Sequence, residues 1–447
     1  MEVKEFIEKN LQNMKNDLAE MVSFNSVNAD DEKPFGSANR KALDKALELM
    51  KKNGLEPHNL DYYCGYGETG SGDKTIGVVA HIDIVPAGDG WDSDPFTLTE
   101  KDGYLYGRGV SDDKGAGIAS MYALKYLIDE KYPFKKKVRL ILGCNEETGS
   151  ACVRHYVEKE GHIDCGFTPD GGFPGIYAEK GMVGGMLVGK NTKIKDLESG
   201  LASNVVPKKA VFTLTDNSFD EGKLDSFMKE NNIEYTYENN ILTVYGQAAH
   251  ASTPDLGVNA VAYGMEALYH ADFNDSFTDF FHKYFALTNH GELLGYEDLK
   301  DDITDTSINI GGKAGKNEKG ICISLDERFP VKTTAEKAMA LLTKISTDDC
   351  EFVSYGGHDP LYFDLQSPMI QSLIKAYQKV TGDYESKMEA IGGGTYAKSI
   401  HNCIAFGCEF QGENNHIHDA NERLSIENFK KQVEIYIEAI KNLNEMD

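Results

Sequence analysis

Apolar positions fall into two textures along the chain. Up to about residue 180, short apolar runs of strand length alternate with helical stripes. Residues 1–18 place Phe6, Ile7, Leu11, Met14 and Leu18 on one helical face. Ser37 is positioned to cap a second helix that runs to about Asn53, with Leu43, Leu47 and Met50 inward and Gly54 as its stop. Residues 55–60 read as a strand, and residues 76–80 as a strand buried on both faces. Residues 91–98 and 104–106 suggest a hairpin around Asp102-Gly103. A helix over 114–129 and buried strands over 138–143 and 166–168 follow. Strands alternating with helices predict an α/β fold whose central sheet is mainly parallel and covered on both sides.

From residue 181 the spacing loosens. Strand candidates at 182–188, 211–214, 241–245 and 307–310 are separated by long polar connections, as in an α+β unit, and residues 190–199 resemble a hinge. The first texture returns near residue 361. Ser367-Pro368 opens a helix to about Val380, residues 403–406 read as a strand, and residues 425–443 form a last helix with Ile426, Phe429, Val433, Ile437 and Ile440 inward. The pattern divides the chain into 1–180 and 361–447, two parts of one domain, and 181–360, a domain inserted between them. A chain of 447 residues is too long for one ordinary core, which agrees with that division.

Composition narrows the partners. Forty per cent apolar and 26% charged residues describe a globular protein, and a formal charge of -26, from 72 acidic and 46 basic residues, would repel phosphate backbones and anionic membranes. Nucleic acid and membrane are therefore not expected partners. No stretch approaches the roughly 20 apolar residues needed to span a bilayer, and the amino terminus lacks a signal peptide's apolar centre. Cys64, Cys144, Cys152, Cys165, Cys322, Cys350, Cys403 and Cys408 show no paired CxxC spacing, so free thiols and a cytoplasmic location are expected.

The chemistry-bearing residues cluster at predicted strand ends and loops. The strand at 76–80 runs into His81 and Asp83, which share a face because strand side chains alternate. In open α/β sheets ligands collect beyond the carboxyl ends of the strands. Asp112-Asp113, Glu146-Glu147 and Asp170 occupy comparable places, and His416, His418 and Glu422 lie near the end of the chain. Imidazole and carboxylate donors without thiolate suit zinc, manganese or cobalt, and two cations would offset so many acids. Each piece alone is weak, since HxD and paired acids are common on solvated surfaces. His58, His155, His162, His270 and His290 read as ordinary surface or core residues.

In order along the chain stand HxD (81–83), GRGxxDxKG (107–115), EE (146–147), PDG (169–171), GxxAHxSxPxxGxNA (246–260) and HxxNE (418–422). This series resembles the M20 family of co-catalytic metallopeptidases. Ser203-Asn204-Val205-Val206-Pro207, Asp326-Glu327-Arg328-Phe329-Pro330 and Gly393-Gly394-Thr395-Tyr396-Ala397 make it most similar to the PepV-type, Xaa-His dipeptidase-like members. The resemblance covers essentially the whole chain. It implies a zinc-peptidase-like catalytic domain (1–180 and 361–447) and a lid domain (181–360).

By the same resemblance, Asp112 bridges two divalent ions, zinc first with manganese or cobalt as alternatives. His81 and Asp170 complete one site and Glu147 and His418 the other. Glu146 is the general base, Asp83 orients the His81 imidazole by accepting its other N–H, and His250 donates to the oxyanion. Asn204 assists there. Arg328, Gly393, Gly394 and Thr395 would bind the substrate's terminal carboxylate. Lys398 departs from the Arg that PepV-type members carry after GTYA, and a point charge does not replace a planar fork. His418, not His416, stands in the HxxNE register. The expected activity is hydrolysis of unmodified dipeptides by a monomer. An N-acyl-amino-acid amidohydrolase and a non-catalytic peptide- or metal-binding protein are the alternatives.

Overall fold

The computed structural model describes residues 1–295 and 301–446. The chain divides into two compact units, Met1–Tyr177 with Phe363–Glu389 and Gly394–Asp447, and Ala178–Tyr362 with Ala390–Gly393.

In the first unit the central sheet runs in the order Glu56–Leu60, Cys64–Gly70, Lys137–Gly143, Thr75–His81, Cys165–Thr168, Cys403–Ala405 and Ile176–Glu179. The middle four strands are parallel to one another, and antiparallel partners close both edges. Parallel central strands have both faces covered, so their residues are apolar throughout: Ile76, Val78, Val79, Leu140, Ile141 and Phe167 are all buried. The helix Lys114–Asp129 lies against this sheet and packs against Val3–Val22 and Ile426–Glu445. It buries Ile118, Met121, Tyr122 and Leu127, and the outer helices bury their apolar stripes together with Asp17 on the first and Asn428, Gln432 and Asn444 on the last.

Register decides where chemistry can collect. In the parallel pair His81 stands opposite Gly143, and Val78 opposite Phe167. The residues that follow these strands, Asp83, Glu146 and Asp170, therefore leave the sheet at one edge. A small antiparallel sheet of Thr99–Lys101, Tyr104–Tyr106 and Arg423–Ser425 brings a second pair of segments together, with Arg423 opposite Tyr106 and the Gly107 amide donating to the Glu422 carbonyl at 3.2 Å.

The second unit contains two antiparallel four-stranded sheets. One runs Ile194–Glu198, Lys209–Leu214, Ile241–Tyr245, Tyr235–Glu238; the other Ser307–Asn317, Gly320–Phe329, Gly181–Gly189, Cys350–His358. Helices Glu221–Glu230, Ala260–His270, Ser276–Tyr284 and Ala335–Lys344 complete a core around Phe212, Phe273, Phe277 and Leu325.

Three local expectations are corrected. Ser37 is the first helical residue rather than the cap; the Asp31 carboxylate accepts from its amide and hydroxyl, so an acid six residues upstream does the capping. The first hairpin arm is Thr99–Lys101, not residues 91–98, although the turn at Asp102 (φ 51°) and Gly103 (φ 82°) has the positive dihedrals that Asp-Gly favours. The polar stretch at 190–199, expected as a hinge, contains a strand: Ile194–Glu198 pairs with Lys209–Leu214 and buries Ile194 and Leu197. All eight cysteines are free and buried, and among the described residues no helix is long and apolar enough to cross a membrane.

Gly115, last residue of GRGxxDxKG, is fixed by contact. A Cβ there would overlap the Val110 carbonyl oxygen and press on Leu424. Gly115→Ala should destabilise the first unit by about 1–3 kcal/mol, the usual cost of overpacking, read as a lowered urea midpoint; an unchanged midpoint would show that the turn before the helix can yield.

Candidate active site

The site is built from the sheet edge outward. His81 is the last residue of a buried strand and has no exposure. Its Nδ1 lies 3.0 Å from the Asp83 main-chain carbonyl, which can only accept, so the ring carries its proton there. Its Nε2 lies 2.9 Å from Asp112 Oδ1. The other Asp112 oxygen is 2.9 Å from Nε2 of His418, and that nitrogen is also 3.4 Å from Glu147. One carboxylate therefore turns an oxygen to each of two imidazoles. Two overlapping donor groups result, His81 with Asp112 and Glu147, and His81 with Glu146 and Asp170.

These six side chains fit a pair of divalent cations on chemical grounds. With Nδ1–H committed to a carbonyl, a neutral His81 ring would direct its Nε2 lone pair at a carboxylate oxygen, which is repulsive unless a proton or a cation lies between them. In the protein alone a proton takes that role: although burial opposes it, the hydrogen bond to Asp112 raises His81 well above its ordinary pKa. Hydrogen bonds to Asp112 and Glu147 push His418 up to about 10, against burial. Burial raises Glu146 well above the usual carboxylate range, with Asp170 and then Asp112 and Glu147 adding repulsion against the opposing pull of His81. Asp112 is held low by the two histidines despite its burial. So many buried acids around two imidazoles form a cation-deficient cluster.

The supports are as specific as the ligands. Asp83 is fully buried, and its carboxylate accepts from the Glu146 amide at 3.0 Å and the Glu147 amide at 3.1 Å, with Asn28 at 3.3 Å. It is 3.6 Å from His81 Nδ1, farther than its own carbonyl. Asp83 thus orients His81 through its main chain and aims the Glu146-Glu147 pair through its side chain. Burial raises its pKa to about 6, with His81 opposing.

Glu422, the last letter of HxxNE, was grouped with His416 and His418 as a candidate ligand and its supporting role was missed, yet Asp112 depends on it. Its two oxygens accept from Arg108 Nη1 at 2.7 Å and from the amides of Gly109, Ser111 and Asp112 at 2.9 to 3.1 Å. Both Glu422 and Arg108 are buried. Tyr396 was also passed over. Its ring meets His81 edge-on at 6.0 Å, and its hydroxyl lies 2.8 Å from Cys152 Sγ, over the Cα of Gly143, where a Cβ would overlap it.

Within the second unit, three motifs meet. The Ala251 amide donates to the Asn204 carbonyl and the Val206 amide to the Ala249 carbonyl, both at 2.9 Å, which pairs the SNVVP segment with the one that carries His250. His250 Nδ1 lies 2.7 Å from the Ser252 hydroxyl, which can donate or accept, and 3.2 Å from the Ser252 amide, which can only donate; with Nδ1 accepting from both, a neutral His250 bears its proton on Nε2. Burial and the nearby Arg328 lower the His250 pKa. Gly392 approaches so closely that a Cβ would overlap Ser252. Arg328 gives Nε and Nη2 to Asp326 at 2.6 and 3.0 Å and Nη1 to the Gly392 carbonyl at 3.1 Å. Gly393 closes this unit's last segment. Gly394 and Thr395 belong to the first unit, where Thr395 caps the turn Tyr396–Ser399 and Lys398 Nζ would stand 3.0 Å from a Cβ at Gly394.

A parallel-centred sheet whose strand ends gather histidines and acids around a shared carboxylate defines a hydrolase-type two-cation site. Residues 77–442 match the model of peptidase family M20/M25/M40. The chain is 34% identical over 458 residues to "Putative dipeptidase SH1171" of Staphylococcus haemolyticus and 34% over 450 residues to "Putative dipeptidase YtjP" of Bacillus subtilis, with 96% of both chains covered in each case. Its fold is similar to that of human carnosine dipeptidase 1 (TM-score 0.62, 16% identity, 99% of this chain and 98% of that one) and of the Saccharomyces cerevisiae di-peptidase Dug1p (TM-score 0.60, 16% identity, 99% and 98%). The chain belongs to peptidase family M20/M25/M40, and it is a peptidase of that family.

Removing the Glu422 carboxylate tests how the site is held. Glu422→Ala leaves the buried Arg108 charge and three main-chain amides without their acceptor, and should cost about 3–5 kcal/mol in a denaturant titration, with a parallel loss of bound metal. Stability within about 0.5 kcal/mol of the parent would show that the loop holds without it.

Proposed function

We propose that this peptidase hydrolyses unmodified dipeptides, with His81, Asp112, Glu147, Asp170 and His418 as ligands of two divalent cations, zinc first and manganese or cobalt as alternatives. The carrying observation is the Asp112 carboxylate with one oxygen 2.9 Å from each of two imidazoles. Such cations supply Lewis acidity toward a carbonyl oxygen and acidify water.

Glu146 is the base. It belongs to the donor cluster with His81 and Asp170, and Asp83 fixes its main chain, so its carboxylate is positioned to take a proton from water and pass it to the leaving amine. His250 serves as the oxyanion donor. Its Nδ1 accepts from Ser252 and its pKa is lowered, which supports a neutral ring with Nε2–H free to donate. Asn204 holds the His250 segment through its carbonyl. Arg328, with Gly393, Gly394 and Thr395, receives the substrate's terminal carboxylate. Asp326 occupies the Nε/Nη2 edge of the guanidinium, so the opposite edge is the one offered. Capture of that charge limits substrates to very short peptides. The residues at 181–360 act as the lid of residues 1–180 and 361–447, and the enzyme works as a cytoplasmic monomer.

Glu146→Gln should retain its metal by mass spectrometry while turnover of a dipeptide falls roughly 10²- to 10⁴-fold; undiminished turnover would remove Glu146 from the role of base. A panel of free dipeptides, C-amidated dipeptides and N-acetyl or N-succinyl amino acids reads the substrate class. Free dipeptides should be cleaved and amidated ones poorly, with Arg328→Ala reducing that difference. Turnover confined to the N-acylated compounds would make the protein an amidohydrolase instead, and no turnover of any compound at full metal loading would make it a binding protein.

A further inference from the structure

Away from the residues discussed so far, the second unit carries another donor cluster. Glu266 and His270 lie one turn apart on the helix Ala260–His270, and His282 faces them from the next helix, Ser276–Tyr284. One ligand atom from each lies within 4.8 Å of the others. Glu266 is 2% exposed. Its Oε2 is 2.8 Å from His282 Nδ1 and 3.7 Å from His270 Nε2, and its Oε1 is buried with no hydrogen-bond partner.

A plain glutamate–histidine hydrogen bond accounts for only part of this. It satisfies Oε2 and one imidazole, but leaves Oε1 unpaired and gives His270 Nε2 no reason to approach. Burying a carboxylate with an unpartnered oxygen is costly unless something positive completes it. The rings are also held in place: Tyr269 stacks on His282 with centroids 3.7 Å apart, and Phe227 stacks on His270 at 4.9 Å. The two imidazole planes stand at 85° to each other. His270 is about half exposed, beside a surface cleft lined by Phe227, Glu230 and Asn231, so one side of the cluster is open to solvent.

We infer that Glu266, His270 and His282 form a third metal site, taking a divalent transition ion of the zinc class with solvent as the remaining ligand. Two imidazoles and one carboxylate are a zinc-type donor set, and magnesium or calcium would call for more oxygen donors. Ligand atoms 2.8 and 3.7 Å apart need only small side-chain adjustments to reach the roughly 2.0–2.2 Å bonds of such an ion. The ion would tie the two helices together. The site does not depend on the dipeptidase reading.

Zinc content decides it. The full chain and its His270→Gln and His282→Gln variants are dialysed against the same micromolar zinc buffer and analysed by inductively coupled plasma mass spectrometry. Each variant should hold one zinc per chain fewer than the parent, gain less in melting temperature when zinc is added, and keep the parent's peptidase activity. Equal zinc in parent and variants overturns the assignment. His270 is exposed enough that its variant folds, so it decides alone if His282→Gln does not. The difference between parent and variant carries the result: a failure of the catalytic ligands would lower both totals and leave that difference intact.

Discussion

The arrangement of the first unit depends on the Asp112 carboxylate being shared between His81 and His418. A buried carboxylate turns one oxygen toward each imidazole with Glu146, Glu147 and Asp170 close by, and burial and mutual repulsion raise Glu146 well above its ordinary range, a crowding of acids that divalent cations would relieve. Much of the neighbouring structure serves to keep these charges in place. Arg108 and Glu422 form a buried pair whose carboxylate also collects three amides leading into Asp112, and Asp83 collects two amides leading into Glu147. Each acid that does not face the centre is spent on fixing the backbone of one that does.

His418 arrives at a conformational cost. His416, His418 and Asn421 all have φ between 53° and 64°, a region that residues with a Cβ occupy at about 1–3 kcal/mol each. The loop is pinned at both sides of His418: before it, the Asn415 carbonyl accepts from the Arg423 amide at 2.9 Å. Its far end is the Glu422 carboxylate and the strand Arg423–Ser425, and on the way Asn421 accepts from the Asp92 amide at 2.9 Å. It is His418, not His416, whose imidazole reaches Asp112. The hairpin Thr99–Lys101/Tyr104–Tyr106 serves the same loop, since its outer partner is the strand that anchors it.

What could be read from residues alone followed the strength of the local signal. The helix at 114–129 and the strand at 241–245 coincide with the observed elements because their apolar periods are unbroken and their ends are marked. The sheet was legible as parallel at its centre, where runs such as residues 76–80 are apolar throughout, but its antiparallel edges were not, because edge strands such as Glu56–Leu60 carry mixed residues. The residues that gather at the candidate site were legible as polar letters at the ends of apolar strands. Their supports were less so: Glu422 looks like any surface acid until its four donors, drawn from residues 108–112, are brought to it by a strand pairing more than 300 positions distant in sequence. The role of Asp83 was half legible, since HxD spacing implies contact but not whether a main-chain or side-chain oxygen makes it.

The cluster on the second unit shows the opposite limit. Glu266 and His270 at i and i+4, with His282 beyond a turn, have the spacing of ordinary solvated helix pairs. Periodicity assigns such residues to an outer face, and nothing in a linear pattern distinguishes a solvated pair from a buried one. The distinction lies in packing. Phe227 and Tyr269 cover the two rings, and the aromatic core of Phe273, Phe277 and Phe281 carries the second helix close enough to the first to bury Glu266. Burial then converts an unremarkable acid into one with Oε2 toward two imidazoles and Oε1 without a partner, and that conversion is what gives the site its claim on a cation.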